Sequence, residues 1–110
     1  MSIHETGLLG ELRAAWHVKK MGMRILEKRY RTTHGEIDII AREGDILVMI
    51  EVKYRPRGKM GEGAKAVNRE KQQHLRFAAG QYLDTHAAVA VRFDVIEISA
   101  AGIRHIKNAF

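Results

Sequence analysis

The chain has no cysteine, one proline and only two serines among its 110 residues. Without cysteine it can form no disulfide, no thiolate zinc site and no cysteine nucleophile, which fits a cytoplasmic protein. With two serines and no G-x-S-x-G, a serine hydrolase triad has no candidate. The six histidines include no i, i+4 pair and no H-E-x-x-H, which argues against a histidine zinc site. No apolar run approaches the ~20 residues that span a bilayer. The start of the chain carries Glu5 and Glu11 among its apolar residues and shows no signal-peptide core, so no membrane partner is expected. The glycines of RPRGKMGEGAK, residues 55–65, do not spell the phosphate-cradling G-x-x-x-x-G-K-[ST] pattern.

Hydrophobic residues make up 45% of the chain, enough for an ordinary core, and 110 residues suit a single domain over 1–110. Repeats and linkers are absent. The net charge is +6, from 19 Lys and Arg against 13 Asp and Glu. Setting aside Glu11, Asp38, Glu51 and Lys53 leaves 18 basic against 10 acidic residues, or +8. A basic surface around an acidic pocket suits a metal-dependent nuclease, because the surface attracts phosphates while the pocket holds cations. A basic protein with solvated charges has the same totals.

Residues 6–22 predict a first helix, with Thr6 as N-cap, Gly22 as stop, and Leu8, Leu12, Ala15, Trp16 and Lys19 recurring at helical spacing. Trp16 reads as core. Three strands are expected over 23–30, 35–42 and 45–54, the last two joined at the turn signal Glu43-Gly44. A basic loop over 55–65 follows, carrying Arg55, Arg57 and Lys59 as candidate phosphate contacts. A second helix over 64–86 places Val67, Lys71, Leu75, Ala78 and Tyr82 along one side. Strands over 90–99 and 102–107 complete the order α-β-β-β-α-β-β, a mixed α/β sheet with helices packed on it.

The stretch GEIDIIAREGDILVMIEVKYR, residues 35–55, sets four charged residues inside two β-like runs. Strand alternation puts Glu36 and Asp38 on one face and Ile37 and Ile39 on the other. Glu51 and Lys53 share a face with Met49, opposite Ile46, Val48, Ile50 and Val52. A turn centred on Glu43-Gly44 pairs Glu36 with Glu51, and one centred a residue later pairs Asp38 with Glu51. Either register gathers Asp38, Glu51 and Lys53 within reach of one cation. Carboxylates so close repel unless a cation lies between them, and all-oxygen ligands suit Mg²⁺ or Mn²⁺. A lysine beside that cation can stabilise charge that builds on a phosphate under attack. The competing reading is a polar, solvent-facing side of a hairpin.

Asp38, twelve residues, then Glu51-Val52-Lys53 matches the D-x(n)-ExK signature of the restriction-endonuclease-like nuclease superfamily. Together with Gly10-Glu11, GEIDII (35–40), EVKYR (51–55), the helix bearing Lys71 and RFDV (92–95), the chain resembles the YraN-type family of small bacterial proteins. That family is similar to archaeal Holliday junction resolvases. The resemblance implies a restriction-endonuclease-like fold and a Mg²⁺- or Mn²⁺-dependent DNA endonuclease acting on branched or otherwise structured DNA. It implies Asp38 and Glu51 as metal ligands, Lys53 as catalytic lysine, and Glu11 as the first-helix glutamate completing the site. Glu36 belongs to the motif block with a supporting role. Lys71 either points toward the site and its DNA or snorkels to solvent. Asp94 is expected to pair with a neighbouring arginine. Resolvase-like relatives also raise the expectation of a homodimer, since a four-way junction presents two symmetric strands. The rivals are a nucleic-acid-binding module that turns over poorly and an interaction protein for an acidic partner.

Overall fold

The computed structural model describes residues 3–57 and 67–110, with side chains from residue 8 onward. Lys59 and most of the glycine-rich loop therefore lie outside the described residues. The elements run α1 (Ile3–Lys20), β1 (Arg24–Thr32), β2 (Gly35–Glu43), β3 (Ile46–Arg55), α2 (Arg69–Leu83), β4 (Ala90–Ser99) and β5 (Gly102–Ile106). This is the expected α-β-β-β-α-β-β order. The five strands form one sheet in chain order; β3 and β4 are parallel, and the other neighbours antiparallel. The parallel step needs a crossover, and α2 supplies it. Among the described residues no helix is long and apolar enough to cross a membrane.

The helices cover opposite faces. Ala14, Ala15 and Val18 of α1 pack on Val48, Ile50, Ile96 and Ile98, while Leu75, Ala78 and Tyr82 of α2 pack on Leu47, Met49, Phe93 and Val95. Since both faces are covered, Leu47–Glu51 of β3 is buried without a break. The solvent-facing hairpin is thereby excluded for Glu51, which is 5% exposed.

Helix α1 begins ahead of Thr6, so Thr6 is not its N-cap; neither glycine nor proline breaks the helical run over residues 3–5. Gly22 does end it. Its φ of +89° is left-handed, and the Gly22 and Met23 N–H groups donate to Lys19 and Val18 carbonyls, the paired bonds of a Schellman motif. The expectation that Trp16 is core is wrong: it is 65% exposed, and Leu12 is 59% exposed. The small residues won. A Cβ on Gly10 would lie 2.5 Å from Tyr54 Cβ, so glycine lets α1 approach β3 closely, turning the alanines to the sheet and the Leu12–Trp16 row outward.

Helix α2 starts later and stops earlier than its periodicity suggests. Asn68 is its N-cap, with Oδ1 accepting from the Lys71 N–H at 2.8 Å. Val67 is buried just before that cap rather than within the helix, and residues 64–66 lie outside the described set.

In the β2–β3 hairpin Glu43 pairs with Ile46 and Ile39 with Ile50, which is the later of the two expected registers. Gly44, at φ +60°, takes the first loop position, as a two-residue turn of this kind requires. One expectation fails here. Ile37 belongs to the α2-side core and Ile39 to the α1-side core, so these two do not share a face and alternation breaks at Asp38. Across from it, between the pairs Lys28–Ile39 and Tyr30–Ile37, Arg29 adopts φ +54°. A left-handed arginine is uncommon, and such strain persists only where surrounding contacts hold it.

Candidate metal centre

The break in β2 creates the site. The β2–β3 ladder ends at Ile39–Ile50, and Asp38 replaces the next backbone bond: the Val52 N–H donates to its Oδ2 at 2.8 Å. The carboxylate is thus fixed to β3 beside Glu51. Burial, chiefly, and the nearby Glu51 charge push the Asp38 carboxyl up to about 7, with Glu11 adding to the rise; the Val52 N–H and Lys71 oppose it.

Glu11, Glu36 and Asp38 each offer a carboxylate oxygen, and the three atoms lie within 4.8 Å of one another. Oxygens around a Mg²⁺ at ~2.1 Å lie at most ~4.2 Å apart, so small side-chain movements would close this set on an ion. Arg29 Nε donates to Glu11 Oε2 at 2.7 Å, and Arg31 Nε donates to Glu36 Oε2 at 2.9 Å. The left-handed turn of Arg29 thus serves the site by holding the α1 glutamate over the break in β2.

Glu51 is not one of those three, although its charge reaches Asp38. Its Oε1 lies 3.3 Å from Lys53 Nζ and 3.7 Å from Lys71 Nζ. Its Oε2 is buried with no hydrogen-bond partner among the described residues. A buried carboxylate oxygen without a hydrogen bond, on a residue whose charge reaches Asp38, fits a cation site, because a polar atom is costly to bury unbonded. Lys71 thus reaches Glu51 while its side chain stays 37% exposed. Arg55 and Arg57 are exposed at the end of β3, beyond Lys53.

Asp94 lies in a separate network. Arg92 Nε and Nη2 donate to it at 2.8 and 3.0 Å, His105 Nε2 contacts it at 2.7 Å, and the Asn108 N–H donates at 3.0 Å. Burial pushes its carboxyl up, but these bonds outweigh burial and hold it below the ordinary value. His105 Nδ1 in turn meets His17 Nε2 of α1 at 3.1 Å. The arginine partner was legible in the sequence; the two histidines, 88 residues apart, were not. Glu36, expected in a supporting role from its place in the GEIDII block, lies in the same acidic cluster as Glu11 and Asp38.

The model of the Uncharacterised protein family UPF0102 matches residues 10–98. A UPF0102 protein of Thermodesulfovibrio yellowstonii is 46% identical, with 96% of each chain covered. One of Caldicellulosiruptor saccharolyticus is 39% identical over the whole of both chains, and one of Alkaliphilus oremlandii is 42% identical, covering 94% of this chain and 96% of its own. The family match takes in Glu11, Glu36, Asp38, Glu51, Lys53 and Lys71 alike, and the chain belongs to the uncharacterised protein family UPF0102.

Proposed function

We propose that this protein is a metal-dependent DNA endonuclease that recognises DNA structure, in the manner of junction resolvases. The observation that carries the reading is the meeting of Glu11, Glu36 and Asp38, together with a buried Glu51 oxygen that has no hydrogen-bond partner among the described residues. Asp38 and Glu51, with Glu11 and Glu36 around them, would hold a Mg²⁺ or Mn²⁺ ion. That ion would supply an activated water and an electrophile for a phosphodiester oxygen.

The chain's own residues do the rest. Asp38 gives up its proton near pH 7 and presents a carboxylate fixed by the Val52 N–H. Lys53, whose Nζ lies 3.3 Å from Glu51 Oε1, would set its ammonium against charge developing on the phosphate. Lys71 keeps a second positive charge beside Glu51, limiting repulsion among the acids. Arg55 and Arg57 supply exposed charge for the phosphate backbone where β3 leaves the site. Recognition would rest on DNA shape.

The test is a cleavage screen with Mg²⁺ and Mn²⁺ over duplex, single-stranded, flap and four-way DNA, with wild type and Asp38→Asn in parallel. Cutting of a branched substrate by wild type, abolished in Asp38→Asn, is expected. DNA binding by both proteins with no cutting on any substrate would replace this reading with that of a binding module.

A further inference from the structure

The outer side of α1 carries a feature that the proposed metal centre does not use. Leu8, Leu12 and Trp16 follow one another at i, i+4 and i+8, with exposures of 36%, 59% and 65%. A row of that spacing runs ~12 Å along the helix axis. Large apolar side chains aligned this way on a covered, two-faced fold mark a binding surface rather than a stray exposed leucine. Concavities flank the row on both sides. One, of about 310 Å³, is lined by Leu12, Arg13, Trp16 and Ile103. The other, of about 240 Å³, is lined by Leu8, Glu11, Leu12, Lys28 and Arg29.

The rim decides what fits. Arg13 borders one concavity and Lys28 the other, and neither is in an ion pair among the described residues. Lys20 lies at the C-terminal end of the row, its Nζ 5.2 Å from the centre of the Trp16 ring. The one carboxylate among these lining residues, Glu11, is already neutralised by Arg29. A second copy of this chain fits poorly, because two-fold pairing along α1 would set this basic rim against itself. Grooves on either side of a ridge accept inserted side chains, as a helix provides, better than a lipid surface does.

We infer that the Leu8–Leu12–Trp16 face of α1 docks an acidic amphipathic helix of a partner protein, with its apolar side chains in the two grooves and its carboxylates on Arg13, Lys20 and Lys28. The inference does not depend on the nuclease reading: Glu11 borders one groove and is also in the proposed metal set, but the docking residues Leu8, Leu12, Trp16, Arg13, Lys20 and Lys28 are not.

Trp16 is the only tryptophan of the chain, so its fluorescence reports on this face directly. Two tryptophan-free synthetic helices of about 18 residues serve as probes, sharing one leucine stripe and differing only in glutamate or lysine on the polar face. The full-length protein is titrated with each. A blue shift of Trp16 is expected with the acidic helix, with affinity at least about tenfold above that of the basic one. Leu12→Ser, on an exposed position that leaves the core alone, should weaken acidic-helix binding about tenfold, as should the pair Arg13→Glu and Lys28→Glu. Arg55→Ala with Arg57→Ala should leave it unchanged, which separates docking from attraction to a basic surface in general. Absence of a shift, or equal affinity for both helices, or insensitivity to Leu12→Ser would overturn the inference. An equal or stronger shift on phosphatidylglycerol–phosphatidylcholine vesicles would assign the face to lipid instead. A concentration-dependent shift of the protein alone, matched by a dimer mass in light scattering, would assign it to a second copy.

Discussion

Asp38 is the residue on which the site turns, and its protonation has two consequences of determinate sign. Its folded value is about 7 against an ordinary 3.8, so between those limits the folded protein keeps a proton that the unfolded chain has lost. Stability from this group is therefore complete below about pH 4 and is lost as pH rises through 7. Asp38→Asn should raise the melting temperature of the metal-free protein at pH 8 by several degrees and change it little at pH 4, readable by thermal melts in chelator. The same variant should lose Mn²⁺ binding in calorimetry. In wild type, Mn²⁺ affinity should climb with pH up to about 7 and level off above it, because the ion must displace the Asp38 proton. Lys53→Ala separates binding from rate: Mn²⁺ affinity should persist while cleavage falls about 100-fold or more, since its ammonium acts on charge present only in the transition state. Asp94 has the opposite sign. Its carboxyl is held below the ordinary 3.8, so its stabilisation is present above that value and is lost as pH falls through the lower folded one. Asp94→Asn should cost about 1–3 kcal/mol at neutral pH, with a smaller difference in acid, because it removes the charge that accepts two Arg92 bonds and leaves Arg92 paired, among the described residues, with Glu43 alone. Denaturant melts at pH 3 and 7 would measure both.

At the scale of elements, the site depends on how closely α1 lies on β3. Gly10 has no room for a side chain against Tyr54, and Glu11 is the next residue along the helix. Gly10→Ala should destabilise the fold by about 1–3 kcal/mol, as overpacking does. It should also weaken Mn²⁺ binding, because lifting α1 carries Glu11 away from Asp38. Gly10→Ala combined with Tyr54→Ala should recover part of both, a coupling that denaturant melts and calorimetry on the four proteins would resolve. A loss of stability with unchanged Mn²⁺ affinity would remove Glu11 from the ligand set. Most element boundaries were legible in the sequence: β4 spans the expected residues, and the β2–β3 hairpin follows one of the two expected registers. The orientation of α1 was not, because Ala14, Ala15 and Val18 compete with Leu8, Leu12 and Trp16 for the sheet, and side-chain size alone favours the wrong set.

For the whole molecule, the net charge of +6 should make DNA binding fall steeply with salt. Arg55→Ala with Arg57→Ala should weaken binding across all DNA shapes and lower the slope of log affinity against log salt by about 2, one for each phosphate contact removed. Asp38→Asn should leave that slope as it is. Fluorescence anisotropy over a salt series checks both. Light scattering with and without four-way DNA tests the expected homodimer, and monomer alone at micromolar concentration in both conditions would remove it.

The sequence by itself determined the elements and their order, because hydrophobic period, the Gly44 turn and the Gly22 stop are local properties of the chain. It also determined the acidic and basic residues that come together, since the two-residue period of β3 puts Glu51 and Lys53 on one side. Only the tertiary structure decided which carboxylates converge. Asp38 leaves the regular ladder to accept the Val52 N–H, Ile37 and Ile39 part to opposite cores, and a left-handed Arg29 holds Glu11 over the gap. Each of these departs from the local rule because α1 and α2 claim opposite faces of the same strand. That competition exists only once the chain is folded.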